Sequence, residues 1–410
     1  MKRLAGGLVA LSFLTACSAA PWARLAGAAA GGAGARSEAG TQVTLAYKDR
    51  ATLQRIADSA VDLEVVDTER RVARARVTRA QTAWLGTLGV SVQPDPQPVR
   101  LEAFDPSYHT YETLVRDMRA LADAHPDICT LVDLGPTWET TKGKADRRVW
   151  GLHVKKGDAS ARPALAFIAN QHSREIVTPE IALLLARKLV EGYGTDPEYT
   201  TFVDSRDIWI VPMVNPDGHA RVVKGEDWRK NTDSDPVPGF GNVAAYGLGT
   251  DLNRNFPFHW GEKGASNDPE NPTFRGRGPG SEPETQAISK LLQSRKFTFL
   301  MSYHSYSNLI MWPWGYSDAP PPDPRLPAIG KKLGALTGYR PQQSKDLYLT
   351  SGGITDFAFG QLGALAFTTE IGSWNDGFLP PHSRVAQFWK ENEPAARYLL
   401  KTAAQPGQDL

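Results

Sequence analysis

Hydrophobic positions follow two rhythms along the chain. From about Phe104 onward, apolar runs of strand length alternate with stretches of helical spacing. The runs 164–170, 207–215, 297–304 and 364–371 show little polar alternation, the mark of strands buried on both faces. Residues 108–124, 181–194, 282–295 and 384–403 repeat apolar positions every three to four residues, which predicts helices. Further strands are expected at 129–135 and 148–156, and one more helix after the Pro-rich loop 313–327. This alternation predicts an α/β fold, a mixed and mostly parallel sheet covered by helices on both faces. The helix after 164–170 is expected to begin with Thr178 as N-cap and Pro179 at its first position. Residues 218–283 are rich in Gly, Pro, Asn and Asp, and so long an irregular stretch in a compact domain is usually functional.

Residues 41–92 keep the other rhythm. VTLAYK, VDLEVVD, RVARARVT and VSVQP read as short strands around two helices, TLQRIADSA and AQTAWLGTLG. The order β-α-β-β-α-β predicts a small α+β module of ferredoxin-like type. At about 50 residues such a module is marginal alone and should pack on its neighbour.

The remaining segments complete the layout. Residues 1–16 carry Lys2 and Arg3 ahead of an apolar run and read as a signal peptide. Leu14-Thr15-Ala16-Cys17 resembles the lipobox of bacterial lipoproteins, which implies lipid on Cys17, export across the inner membrane and anchoring to the cell envelope. The alternative is an ordinary signal peptide cut a few residues later. Residues 17–40 are an Ala/Gly-rich tether, 93–103 a stiff Pro-rich linker, and 104–404 the main domain. Apart from Cys17 the one cysteine is Cys129, so a lipidated Cys17 excludes a structural disulfide. Lys and Arg number 46 against 45 Asp and Glu, scattered along the chain, and nucleic-acid binding has no electrostatic footprint. No apolar stretch reaches the roughly 18 residues that span a bilayer. A monomer is expected.

Candidate chemistry gathers at strand ends. His172 and Glu175 lie in the short loop after 164–170, where open α/β sheets place their ligands. The His-x-x-Glu spacing alone is weak, because His109–Glu112 and His259–Glu262 repeat it. The first of these opens an amphipathic helix with Thr110 as N-cap, and the second sits in a loop with no strand before it. His304 ends the run 297–304, and Glu370 lies at the end of 364–371. A catalytic zinc takes three protein ligands and leaves one position open. His172, Glu175 and His304 supply three, which leaves Glu370 free as a base. Plainer roles remain open for each. His304 can be a buried strand-end histidine, Glu370 a structural carboxylate, and Tyr348 an ordinary amphipathic aromatic. Arg229 and Arg254 can be solvated charges, and Asn253 a turn former.

In order, the blocks QHSREIVTPE, NPDG, DWRKN, TDLNRNF, YHSYSNLIMWPWGY, LYLTSGGITDF and FTTEIG resemble the M14 zinc metallocarboxypeptidases. The resemblance covers roughly residues 104–404. It implies a hydrolase with one zinc per chain, held by His172, Glu175 and His304. It further implies Glu370 as general base, Arg229 as the group polarising the carbonyl, and Asn253 and Arg254 as a clamp for the terminal carboxylate. Arg174 is implied as a subsite residue, Tyr348 as a mobile tyrosine, and Thr355 as the floor of the side-chain pocket. Non-proline cis peptides are implied at Ser305–Tyr306 and Pro313–Trp314. The expected activity is hydrolysis of the C-terminal bond of peptides and proteins, with release of neutral, apolar or aromatic residues. Two alternatives stand beside it: a cell-wall muropeptide peptidase of the same fold, and a non-catalytic lipoprotein that binds peptide or metal. The small module resembles a pro-segment in position and size, and no dibasic pair marks the linker for cleavage.

Overall fold

The structure is a computed structural model that describes residues 40–95, 104–240 and 249–409. The expected signal peptide, Cys17, the tether through residue 39 and linker residues 96–103 lie outside the described residues.

Strand β1 (Thr41–Ala46) leads through helix α1 (Arg50–Ala57) to β2 (Asp62–Asp67) and β3 (Val72–Val77). Helix α2 (Arg79–Thr87) and β4 (Ser91–Pro94) follow, and the strands pair antiparallel in the order β2-β3-β1-β4. Asp49 caps α1 by accepting from the Thr52 amide, and Thr78 with Gln81 forms a capping box on α2. Leu45, Leu53, Ile56, Ala73, Ala75 and Leu85 close a core between helices and sheet.

The larger sheet begins after α3 (Tyr111–Ala124) with β5 (Cys129–Pro136), a short α4 (Trp138–Thr141) and β6 (Arg148–Val154). Next come β7 (Ala164–Ala169), α5 (Val177–Glu191), α6 (Pro197–Ser205), β8 (Asp207–Val211) and α7 (Pro216–Val222). After the long irregular stretch the chain continues with α8 (Pro283–Gln293), β9 (Phe297–His304), β10 (Leu309–Trp312) and α9 (Arg325–Thr337). It closes with β11 (Arg340–Gln343), α10 (Ile354–Gly360), β12 (Leu365–Glu370) and α11 (Val385–Thr402). The eight strands run in the order β11-β10-β12-β9-β7-β8-β6-β5. The centre, β12-β9-β7-β8, is parallel; β6 joins β8 antiparallel and β10 joins β12 antiparallel.

Both faces of this sheet are covered, which explains the apolar runs. In β7 all six residues are buried: Leu165, Phe167 and Ala169 face a core shared with α5 and α11, while Ala164, Ala166 and Ile168 face one shared with α8 and α10. Thr110 caps α3 as expected.

Helix α5 departs from expectation. It starts at Val177 with no side-chain cap, and Thr178 Oγ1 instead accepts from the Asn170 amide and donates to the Glu175 carbonyl. Thr178 therefore braces the loop before the helix rather than capping it. Strands β10 and β11 and the short helices α4, α6, α7 and α10 carry too few residues to set a period. Pro341 in β11 is tolerated because that strand lies at the sheet edge.

Candidate active site

The carboxyl ends of β7, β9 and β12 converge on one cavity. In the parallel pairing of β9 with β12, His304 and Glu370 are register partners, so each strand's last residue sits beside the other's. From β7 the chain turns sharply through Asn170, which adopts a left-handed backbone (φ 56) that Asn tolerates better than most residues. Its side-chain amide donates to the His172 carbonyl at 3.3 Å and the Ser173 carbonyl at 3.4 Å, holding the loop that carries His172 and Glu175.

His172 Nδ1 lies 2.7 Å from Glu175 Oε1 and 3.2 Å from His304 Nδ1, and His304 Nδ1 lies 3.0 Å from Glu175 Oε2. All three side chains are buried. A four-coordinate ion bound at about 2.0–2.2 Å by nitrogen and oxygen places its ligand atoms roughly 3 Å apart. The donor triangle therefore fits zinc in size and in chemistry, and it is the cluster among the described residues suited to a metal. The other two His-x-x-Glu pairs lie outside this cluster. His109 binds Glu180 and Asp117, while His259 binds Glu262 on an exposed loop.

Asp251, not singled out by sequence reasoning, ties the centre together. One oxygen lies 3.2 Å from His172 Nε2, and the other accepts from Arg229 Nε at 3.1 Å and Nη2 at 2.9 Å. Burial alone would raise this carboxyl; Arg229, His172 and Arg254 hold it well below the usual range. The loop bearing Arg229 is stitched to the His172 loop by Ser173, whose amide donates to the Arg229 carbonyl and whose hydroxyl donates to Trp228 O. Asn215, from the NPDG block, caps α7 and donates to the carbonyls of Gln171 and Lys230. The signal for Asp251 was present in TDLNRNF, but an acidic residue in an irregular stretch has no period to mark it.

The same cavity is lined by Arg229, Asn253, Arg254, Tyr348, Thr355 and Glu370. Burial pushes the Glu370 carboxyl up to about 7, against the pull of His304. Asn253 Oδ1 accepts from the Ile354 amide, so the 350–355 loop is pinned to the 251–254 turn. Gly352 (φ 71) permits this approach, since a Cβ there would meet the Arg254 carbonyl at 2.3 Å. Asp356, next to Thr355, accepts backbone N–H groups from Gly315 and Tyr316, so its charge is already hydrogen-bonded. The bonds Ser305–Tyr306 and Pro313–Trp314 are both cis, as the resemblance implied.

Arg174 does not line this cavity. It is 2 % exposed and forms a paired contact with Asp62 of β2 at 2.7 and 2.8 Å, with Asp227 beside it and Phe378 under its guanidinium. Strand β2 forms one wall of the cleft through Leu63, Glu64, Val65 and Val66. Helix α1 grips the opposite rim: Gln54 exchanges two hydrogen bonds with the Leu349 backbone, and Tyr348 packs against the module core. The space left is about 120 Å³, well below the roughly 300 Å³ at which ligand pockets begin.

Comparison with known proteins agrees with this geometry. The profile described as zinc carboxypeptidase matches residues 114–395. A zinc carboxypeptidase of Saccharothrix mutabilis subsp. capreolus is 29% identical over 316 residues, covering 72% of this chain and 69% of that protein. Carboxypeptidase A1 of Rattus norvegicus is 32% identical over 290 residues, covering 68% of this chain and 66% of its own length. The match thus spans about two thirds of these relatives. In fold, the chain superposes on carboxypeptidase A from Helicoverpa armigera with a TM-score of 0.75 at 22% identity, covering 90% of this chain and 98% of that one.

Proposed function

The chain belongs to the zinc carboxypeptidase family, and from that premise we propose that it is an exopeptidase that removes the C-terminal residue of peptides and proteins. The observation that carries this reading is the His172–Glu175–His304 triangle in one cavity with Glu370, Arg229 and Arg254. Zinc on that triangle would supply Lewis acidity and a water that ionises near neutral pH. Glu370, with its carboxyl pushed up to about 7, takes a proton from the attacking water and passes it to the departing amine. Arg229, fixed by Asp251, presents its guanidinium to the oxygen on which charge develops. Arg254 is held by the carbonyls of Gly264 and Asn253 and pairs with the terminal carboxylate, a fork Lys cannot reproduce. Asn253 assists that clamp, and Tyr348 closes over the bound residue.

Thr355 forms the floor of the side-chain pocket, with no uncommitted charge beside it, and this favours neutral residues. Arg174 serves the outer part of the cleft once Asp62 withdraws. On this reading the small module covers the site in the manner of a pro-segment. Export and lipid attachment through Cys17 place the enzyme at the cell envelope; support comes from the LTAC run after the apolar stretch.

The test compares a peptide ending in free Phe with its C-terminal amide, using the native chain and Asp62→Ala. Release of one residue from the acid alone is expected. Internal cleavage, or equal attack on the amide, would overturn the exopeptidase reading.

A further inference from the structure

A second cavity, of about 510 Å³, lies at the opposite end of the main sheet, beneath the starts of β7, β9 and β12. Its lining carries four cationic side chains, Arg162, Arg295, Lys296 and Arg325, against one carboxylate, Asp207. Both oxygens of Asp207 are already engaged, one by His153 Nε2 at 2.5 Å and the other by Arg295. Arg325 is paired with Asp323 outside the cavity. Arg162 and Lys296 form no ion pair among the described residues. Arg162 Nη1 is shielded from solvent without an acceptor, although Asp158 lies close enough to feel the charge.

Two costs follow from this arrangement. A guanidinium nitrogen out of water with no acceptor loses its hydration without return. Like charges gathered in one cavity repel, and the low-dielectric floor formed by Phe297 and Leu365 strengthens that repulsion. An oxyanion in the cavity would relieve both. Guanidinium groups offer paired donors that match phosphate, and Lys296 at the exposed mouth adds a point charge. With Arg295 and Arg325 already paired, the two remaining cations, Arg162 and Lys296, suit a ligand with more than one negative charge better than a single carboxylate. The volume admits a group of that size.

We propose that this cavity binds an anion bearing phosphate groups, with Arg162 and Lys296 as its principal partners. The shared chemistry is a phosphomonoester or pyrophosphate, free in solution or on a lipid headgroup. Because the cavity lies at the far end of the strands from His172 and Glu370, the proposal stands apart from the peptidase reading.

The test offers inorganic pyrophosphate, citrate, and phosphatidylcholine vesicles with or without phosphatidic acid to the purified full-length chain at physiological ionic strength. Saturable binding of pyrophosphate, or of phosphatidic acid vesicles over plain ones, is expected, and the two arms separate a soluble ligand from a lipid. The double variant Arg162→Gln/Lys296→Gln should weaken that binding at least about tenfold, with zinc content and peptide turnover unchanged. Lys296→Gln alone, at an exposed side chain, keeps the test decisive if the double variant folds poorly. The proposal is overturned by absence of binding in both arms, by unchanged affinity in Lys296→Gln and in the double variant, or by citrate binding as tightly as pyrophosphate.

Discussion

At the residue scale, Glu370 and Glu175 are carboxylates in one cavity shifted in opposite directions. Glu175 touches both histidines, whose positive ends draw its pKa down against burial, as suits a metal ligand. Glu370 makes no such contact, and burial pushes it up to about 7, as suits a group that takes and returns a proton. Glu370→Gln is therefore expected to keep its metal and its fold while turnover falls by roughly 10²–10⁴-fold. Loss of metal in that variant would make Glu370 a ligand and contradict its assignment as base. On the proposed reading, specificity rests on Thr355, which lines the cavity. A Lys or Arg side chain entering beside it would lose hydration with no partner, whereas an apolar side chain gains about 1.5–3 kcal/mol from burial. Peptides ending in Phe, Leu or Tyr should be preferred over those ending in Lys by at least about tenfold in kcat/KM, equivalent to ~1.4 kcal/mol. Thr355→Asp should shift the preference toward Lys, and no shift would show that Thr355 is not the floor. The lining residues stood out in the sequence because each sits in a block of distinctive order. Asp251 and Asn170 did not, because their work is to orient other groups.

At the element scale, β2 lines the cleft and α1 binds the Leu349 backbone at its rim, and on the proposed reading the two limit access to the site. Asp62 pairs with a buried Arg174, so removing its carboxylate takes the two-pronged contact away and leaves that cation the longer bond to Asp227, with Glu64 nearby. Losing one partner of a buried pair commonly costs about 3–5 kcal/mol. Asp62→Ala/Gln54→Ala should then raise kcat/KM at least about tenfold by loosening β2 from the cleft and α1 from the Tyr348 loop. Unchanged turnover in a well-folded variant would show that the module does not limit access. The contact should also depend on pH. Glu64 is 8 % exposed, and burial raises its carboxyl to about 7 among Arg174, Asp62, Arg76 and Asp227, with Gln42 and Tyr306 alongside. Docking favours its protonated form, so this contribution is complete below the ordinary glutamate range and is lost as pH rises through about 7. Asp62 moves the other way: burial would raise it, but Arg174 holds it low, so it stays ionised throughout that window. Occlusion should accordingly be tighter near pH 5 than near pH 8, read as protection of β2 amides from hydrogen exchange. Equal protection at both would contradict the role given to Glu64. Element order in this module was legible in its two-residue and helical periods. Its place against the cleft was not, because nothing in the run VDLEVVD marks Asp62 and Glu64 as facing Arg174.

At the scale of the whole molecule, the buried sheet was legible because helices on both faces leave its central strands without polar alternation. The edges were less so: β10 is four residues long, and β11 reads Arg-Pro-Gln-Gln, which no hydrophobic pattern marks. Likewise, the three candidate metal donors were legible at or just after strand ends, but only the pairing of β7 with β9 and the turn at Asn170 bring them within reach of one another. That convergence is the central claim, and metal content tests it directly without requiring the cleft to be open. Zinc per chain is to be measured, with chelator competition, in the native protein and in Glu370→Gln and His304→Ala. One tightly held zinc is expected in the first two and much weaker binding in the third. Stoichiometric, tightly held zinc in His304→Ala would contradict the site.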